Sequence, residues 1–224
     1  MASCRIVSLC LDTREWIVCR NSTLPCVLEP RCCFVLGNTF YLTGNPPNGD
    51  FSNILSYDMT TEEWNIVDTG HMGGPSYIRA VVVEETAYLL AVTTGDTKWL
   101  WSFRETGVPV CVDECTPGLY THDMTAIGHH VILLEEVPSE EGEHGLFIYL
   151  FSVVSGVWYC FNTHSEWMGA DDPILYLCHS REEEVLLLNT SSDPPSLFTA
   201  TIPLPGGDDY ESAGRWNVLD PDHN

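Results

Sequence analysis

The chain has 224 residues, of which 44% are hydrophobic and 11% aromatic, enough apolar side chain to bury a core and too much for global disorder. Its 32 Asp and Glu against 9 Lys and Arg give a formal net charge of −23. That balance argues against nucleic-acid binding and against docking on anionic lipid, both of which need a basic face, and it steers basic partners toward the surface.

In chain order the sequence reads as short strands separated by turn residues. Residues 5–20 hold two, over 6–12 and 15–18. Residues 31–69 hold four, over 32–37, 40–44, 54–58 and 63–67, with a loop rich in Pro, Asn and Gly in the middle. The same grammar predicts strands over 80–83, 87–90, 99–103 and 110–112 within residues 78–114. It recurs over 124–127, 131–134, 146–154 and 157–161 within residues 123–162. It closes with 174–178, 185–188, 197–202 and 215–219 within residues 173–220. No window of helical length keeps apolar residues at i, i+3 and i+4, so helix is expected in less than about a tenth of the chain.

The Trp of the fourth strand is the ruler. Trp16, Trp64, Trp158 and Trp216 lie 48, 94 and 58 residues apart, and the middle gap is two periods, with Val110 near the place of the missing Trp. A four-stranded meander with apolar residues on both faces needs a neighbour on each. A Trp at the start of the fourth strand is expected as a plug between neighbouring sheets. A repeat of roughly 50 residues built from four strands is the period of kelch propellers.

The motifs carry the same resemblance. Thr39-Phe40-Tyr41-Leu42-Thr43-Gly44-Asn45, then Tyr57-Asp58, a short turn and Trp64 follow the kelch pattern of a Tyr-containing strand, a variable loop, Tyr-Asp and Trp. Asp12-Thr13-Arg14-Glu15-Trp16 repeats its last part. The chain therefore resembles the kelch-repeat β-propeller family, motif by motif over about one and a half units and as a period over nearly all of 1–224. It departs from the family in lacking paired glycines: Gly44-Asn45 is the nearest, and Val92-Thr93, Glu135-Glu136 and Asn189-Thr190 stand at the later places. Another propeller type and a degenerate all-β sandwich are the alternative folds.

The resemblance implies an all-β, kelch-type propeller of about four complete four-stranded blades plus a half, an incomplete ring. In it Trp16, Tyr41, Tyr57, Trp64, Trp158 and Trp216 form the blade cores. It further implies the C-terminal kelch part of a BTB-Kelch or F-box-Kelch protein. Its role would be non-catalytic protein–protein interaction, with substrate recognition for a cullin-RING ubiquitin ligase or cytoskeletal adaptation as the specific forms. In such proteins the partner meets the first residues of each first strand and the loops beside them. Transferred to this sequence, that selects Arg31, Tyr77, Arg79, Tyr120 and His122 as candidate partner-binding residues, each of which could equally be an ordinary residue capping its strand.

His129-His130 and Cys111–Cys115 lack the further ligands at short spacing that zinc requires, and Cys32-Cys33 must point to opposite faces of a strand. No nucleophile elbow, dinucleotide fingerprint or phosphate loop is present. No metal, cofactor or catalytic residue is therefore expected. An enzyme of the galactose-oxidase type and a truncated fragment without activity of its own are the alternatives. The apolar run 6–11 is too short for a signal peptide and no stretch reaches the ~20 apolar residues of a membrane span. A cytoplasmic or nuclear protein with ten reduced Cys is the expectation.

Overall fold

The structure, a computed structural model, describes residues 7–10, 14–18, 24–26, 28–46, 53–67, 76–92, 97–105, 107–114, 120–138, 144–163, 175–181, 184–190, 195–202 and 216–218. Among the described residues every regular element is a β-strand. The first sheet pairs β1 (Val7–Cys10) with β2 (Glu15–Val18). The second runs β3 (Glu29–Leu36), β4 (Thr39–Asn45), β5 (Asn53–Asp58) and β6 (Glu63–Val67) in simple order. The third runs β7 (Ser76–Val83), β8 (Thr86–Val92), β9 (Lys98–Phe103) and β10 (Val110–Glu114). The fourth holds β11 (Tyr120–Ile127), β12 (His130–Pro138), β13 (His144–Ser152) and β14 (Val157–Thr163). The fifth holds β15 (Leu175–Arg181), β16 (Glu184–Asn189), β17 (Ser196–Thr201) and β18 (Trp216–Val218). Each four-stranded sheet is an antiparallel meander, and its strands are called a to d below. The first three sheets lie in one compact unit, Met1–Cys115, and the last two in another, Thr116–Asn224.

The strands fall where alternating and continuous apolar runs place them, with one consistent difference. β3, β7 and β11 start at Glu29, Ser76 and Tyr120, earlier than expected, so Arg31, Tyr77 and Arg79 lie inside strand a and not in the loop before it. The run from Glu135, which reads as a solvated loop, likewise begins as strand. Glu135 is 0% exposed, pairs with Phe147 on β13 and accepts a hydrogen bond from Thr121 Oγ1 at 2.8 Å.

Neighbouring sheets pack face to face within each unit. In the first unit Phe34, Leu36, Tyr41 and Ile54 of the second sheet meet Tyr77, Leu89, Trp101 and Phe103 of the third. Phe34 and Tyr41 stack at 5.0 Å, and Phe103 sets its edge against both at 5.8 and 5.1 Å. In the second unit Ile132, Leu134, Ile148 and Leu150 meet Leu177, Val185 and Leu187. Such strands are covered on both faces, which is why Val131, Ile132, Leu133 and Leu134 can follow one another at 0% exposure. Strand a lies beside strand a in each pair, β3 against β7 and β11 against β15.

The Trp positions share one register. Leu9 pairs with Trp16, Tyr57 with Trp64, Phe151 with Trp158 and Ala200 with Trp216, always one step in from the turn or loop joining strands c and d. In the third sheet Val110 pairs with Ser102, so the buried Pro109 falls across from Phe103 and holds the Trp place expected near Val110. Trp64 is half-buried and leans on Tyr57 (5.1 Å) and Phe40 (6.4 Å) of its own sheet, on the face turned away from the core shared with the third. Trp158 leans in the same way on Phe151 at 5.0 Å. Tyr57 and Tyr41 are buried at 1% and 3% exposed, while the side chains of Trp16 and Trp216 lie outside the described residues.

A four-residue c–d turn sits beside three of these pairs. Its last residue takes positive φ: Arg14 (56°), Glu62 (57°) and Gly156 (68°). Glu62 N donates to Asp58 O and Gly156 N to Ser152 O, both at 2.8 Å. The residue that opens the turn also caps it, Asp58 Oδ1 accepting from Thr60 N at 2.7 Å and Ser152 Oγ from Ser155 N at 3.3 Å. A Cβ added at Gly156 would meet nothing within 4 Å, so only the backbone resists a side chain there. Gly156→Ala is expected to cost about 1 kcal/mol, and Gly156→Asn less, measured as a lower urea midpoint at unchanged slope.

Candidate functional site

Three of the strands named a carry a β-bulge at the same place, counted back from the a–b turn. The register slips between Pro30 and Cys32, between Tyr77 and Arg79, and between Thr121 and Asp123. Arg31, Ile78 and His122 are thereby left without a partner residue on strand b. A bulge bends the strand and re-aims its side chains, and bulges concentrate beside functional sites. In β15 the slip, between His179 and Arg181, sits closer to the turn.

The bulge sorts the candidate residues. In an unbroken strand residues 77 and 79 would share a face. With Ile78 inserted, Tyr77 pairs with Ala91 and faces the second sheet, while Arg79 pairs with Leu90 on the other face. Tyr77 is consequently 3% exposed and sets its ring edge-on to Trp101 at 6.5 Å. Burial, helped by the nearby Cys32, pushes its phenol up to about 12. Tyr77 is a core residue, and the expectation that it meets a partner is corrected. Arg79 is half-buried and donates from Nη1 to Ile78 O at 2.9 Å. Arg31 and Arg79 are one place apart in register: Arg31 is the bulge residue, whereas Arg79 shares its place with Cys32 and Asp123. Arg31 is exposed, with Nη2 3.8 Å from Glu29 Oε2, a surface pair that adds little stability. Tyr120 and His122 lie on β11, and their side chains are outside the described residues.

The position after the bulge ties one strand a to the next. The Cys32 thiol lies 3.0 Å from Thr43 Oγ1 and donates to Tyr77 O at 4.0 Å. Asp123 Oδ2 accepts from Leu177 N at 2.8 Å across the fourth and fifth sheets. Burial pushes the Cys32 thiol up to about 11, more than the Thr43 hydrogen bond and the Arg79 charge lower it. Cys32 is thus a half-buried thiol and Cys33, on the opposite face, an exposed one. Nothing in the sequence singled out Cys32 or Asp123, because only the bulge shows that they correspond.

At the other end of the first unit a cleft of about 680 Å³ opens between the a–b turns of the second and third sheets. Leu36, Gly37, Glu84, Glu85, Thr86, Arg104 and Glu105 line it. Arg104 Nε donates to Thr86 Oγ1 at 3.2 Å and Thr39 Oγ1 to Glu105 Oε1 at 3.3 Å. Among the described residues no group of three or more His, Cys, Asp or Glu is placed to hold a metal.

No family model and no curated protein matches the sequence. Solved structures do match the fold. YjhT superposes with a TM-score of 0.56 at 11% identity, over 89% of this chain and 67% of its own. The tricorn protease gives 0.51 at 13% identity over 87% of this chain, which spans only 19% of that protein. The β-propeller domain of the trilobed protease from Pyrococcus furiosus, described as having an open velcro topology, gives 0.50 at 8% identity over 86% of this chain and 57% of its own. At such identities the likeness is one of fold. The chain is all-β, and its four-stranded meanders, with the two-stranded sheet as a half, are blades of β-propeller type.

The two adjacent thiols offer a direct check of the strand-a geometry. In folded protein at pH 8, iodoacetamide should modify Cys33 readily. Cys32 should react about 100-fold more slowly than a thiol at the usual pKa of 9.0, since one at about 11 holds that much less thiolate. Tandem mass spectrometry of the peptide that carries both sites reads the difference, which should vanish in denaturant.

Proposed function

We propose that the chain is a non-catalytic protein-interaction module of kelch-like propeller type, with the partner meeting the bulged starts of the strands named a. The observation that carries this reading is the recurrence of one bulge in three successive blades, at Arg31, Ile78 and His122. Bulges unpair a ladder position that a plain strand would keep paired, so repeating one at the same place calls for a reason beyond stability. Exposed Arg is a residue type enriched among binding hot spots, and Arg is scarce in this chain. Tyr77 drops out of the surface, which leaves Arg31, Ile78 and Arg79 in the first unit and Tyr120 and His122 in the second. An acidic or hydroxyl-bearing peptide suits the Arg-bearing strand starts of the first unit, and the surrounding negative charge restricts it to short acidic segments.

In its finer form the proposal follows the kelch resemblance. The module recruits substrates to a cullin-RING ubiquitin ligase, in the cytoplasm or nucleus, when joined to a BTB or F-box domain. It needs neither cofactor nor metal and engages neither nucleic acid nor membrane. The same pairing of a rigid β-scaffold with variable strand starts supports a cytoskeletal adaptor.

Affinity purification of the wild type beside Arg31→Ala and His122→Ala tests the face. Arg31 makes one exposed ion pair, so Arg31→Ala should fold normally and lose its specific partners at least ten-fold by quantitative mass spectrometry. A partner set unchanged in both variants would remove this face from consideration.

A further inference from the structure

Thr39 and His130 open strand b in the second and fourth sheets, each directly across from the last paired residue of strand a, Leu36 and Ile127. Thr39 has the parity of Tyr41, and His130 that of Ile132 and Leu134, so each points to the face covered by the following sheet. Thr39 finds a partner there, Oγ1 donating to Glu105 Oε1 of the third sheet at 3.3 Å. Glu105 lies two residues past Phe103, the strand-c partner of Ala87. In the fifth sheet the same count, taken from Ala200 as the partner of Val185, arrives at Ile202. An apolar residue, 2% exposed, thus holds in the second unit the place that a carboxylate holds in the first.

His130 is 9% exposed, and its Nδ1 is buried with no hydrogen-bond partner. Ile127 and Ser152, both buried, flank it on the neighbouring strands. Burial pushes the imidazole below its ordinary 6.5; a hydrogen bond to the Ile127 main chain opposes this in part, and His129 adds to it. On its own sheet Asp123, Glu136 and Tyr159 share its face. Asp123 pairs with Leu134, four residues along β12 and so about 13 Å away. Glu136 lies further along the same strand. From the fifth sheet the facing side chains are apolar, Leu177, Val185, Leu187 and Ile202 among them, and Glu184 lies on the opposite face of β16. His179 pairs with Val185, and its side chain lies outside the described residues. Among the described residues no carboxylate is close enough to act on His130.

We infer that His130 is a proton-operated catch between the fourth and fifth sheets, shut while the imidazole is neutral and released when it binds a proton. An imidazolium here is a charge on the apolar face of Ile127, Ile132 and Ile202 with no counter-ion, which is disfavoured against the same charge in water. The a–b turn end of the two sheets parts so that water can reach the ring. At the far end Asp123 Oδ2 still holds Leu177 N at 2.8 Å, so the parting is a local opening and not the loss of the fold. A base whose pKa is lower folded than unfolded contributes stability that is complete above the ordinary 6.5 and is lost as the pH falls below it. The catch is therefore closed at neutral pH and opens in mild acid. It lies within the second unit and does not depend on the interaction reading.

Hydrogen exchange of the full chain tests this, read by mass spectrometry at about pH 7.5 and about pH 5.5 and corrected for the intrinsic pH dependence of exchange. In the wild type the opening constant of amides over 127–132 should rise about three- to ten-fold at the lower pH, ten-fold being the ceiling one unit below 6.5. Amides over 39–43, where Thr39 stands at the corresponding place, should not change. His130→Thr should fold, since Thr39 opens the same strand in the second sheet, as circular dichroism and gel filtration will show, and His130→Gln is the second variant. Both should hold the opening constant level between the two pH values, while His179→Gln keeps the wild-type rise. No rise in the wild type, a rise equal in the wild type and the His130 variants, a rise shared by 39–43, or one that His179→Gln abolishes overturns the inference.

Discussion

A sheet that is apolar on both faces has to be covered on both, and most of this molecule follows from that requirement. It explains why the inner strands abandon the alternation of a half-solvated sheet and become runs such as Val131 to Leu134. It explains why strand a meets strand a within each unit, since the innermost strands of adjacent blades are the ones brought closest. The requirement also identifies where cover is lacking. In the second unit, the face of the fifth sheet turned away from the fourth leaves Tyr176 and Leu197 exposed at 53% and 36%. In the first unit the face of the second sheet turned away from the third leaves Val35 and Ile66 exposed at 46% and 63%.

Hydrogen bonding completes what packing begins. The residue after the bulge does one job with two chemistries: a thiol that reaches Tyr77 O in the first unit and a carboxylate that receives Leu177 N in the second. A weak sulfur donor and a charged acceptor are unlike in strength, yet each satisfies a main-chain group on the neighbouring blade. Position is kept where identity is not. The c–d turn behaves alike, with Asp58 and Ser152 as caps and Arg14, Glu62 and Gly156 at positive φ.

That separation of position from identity determines how much could be read in the sequence. The strand order, the period and the Trp register were legible, because apolar runs and one large aromatic mark them directly. Which side chains Trp64 leans on was not, because a side chain's face depends on pleat parity and Trp64 meets Tyr57 within its own blade. Pro109 takes the third Trp's place by register alone, with no likeness of size or residue. Glu135 opens a run of carboxylates, which is usually solvated, yet it pairs in the ladder and meets Thr121. Among the candidate site residues, Arg31 remained on the surface and Tyr77 did not. The difference between them is one inserted residue, which leaves no mark on composition or hydropathy.

That inserted residue fixes the length of the chain leading into each blade. Upstream of the bulge every side chain points to the face opposite the one that plain alternation would give it. Removing a single residue at position 78 would turn Tyr77 out of the core and bring its neighbour Ser76 in, while everything downstream stayed in place. The linkers between blades can therefore vary in length only up to where strand a begins. Past that point the numbering is geared to the pleat, and drift among related chains would have to come in steps of two residues.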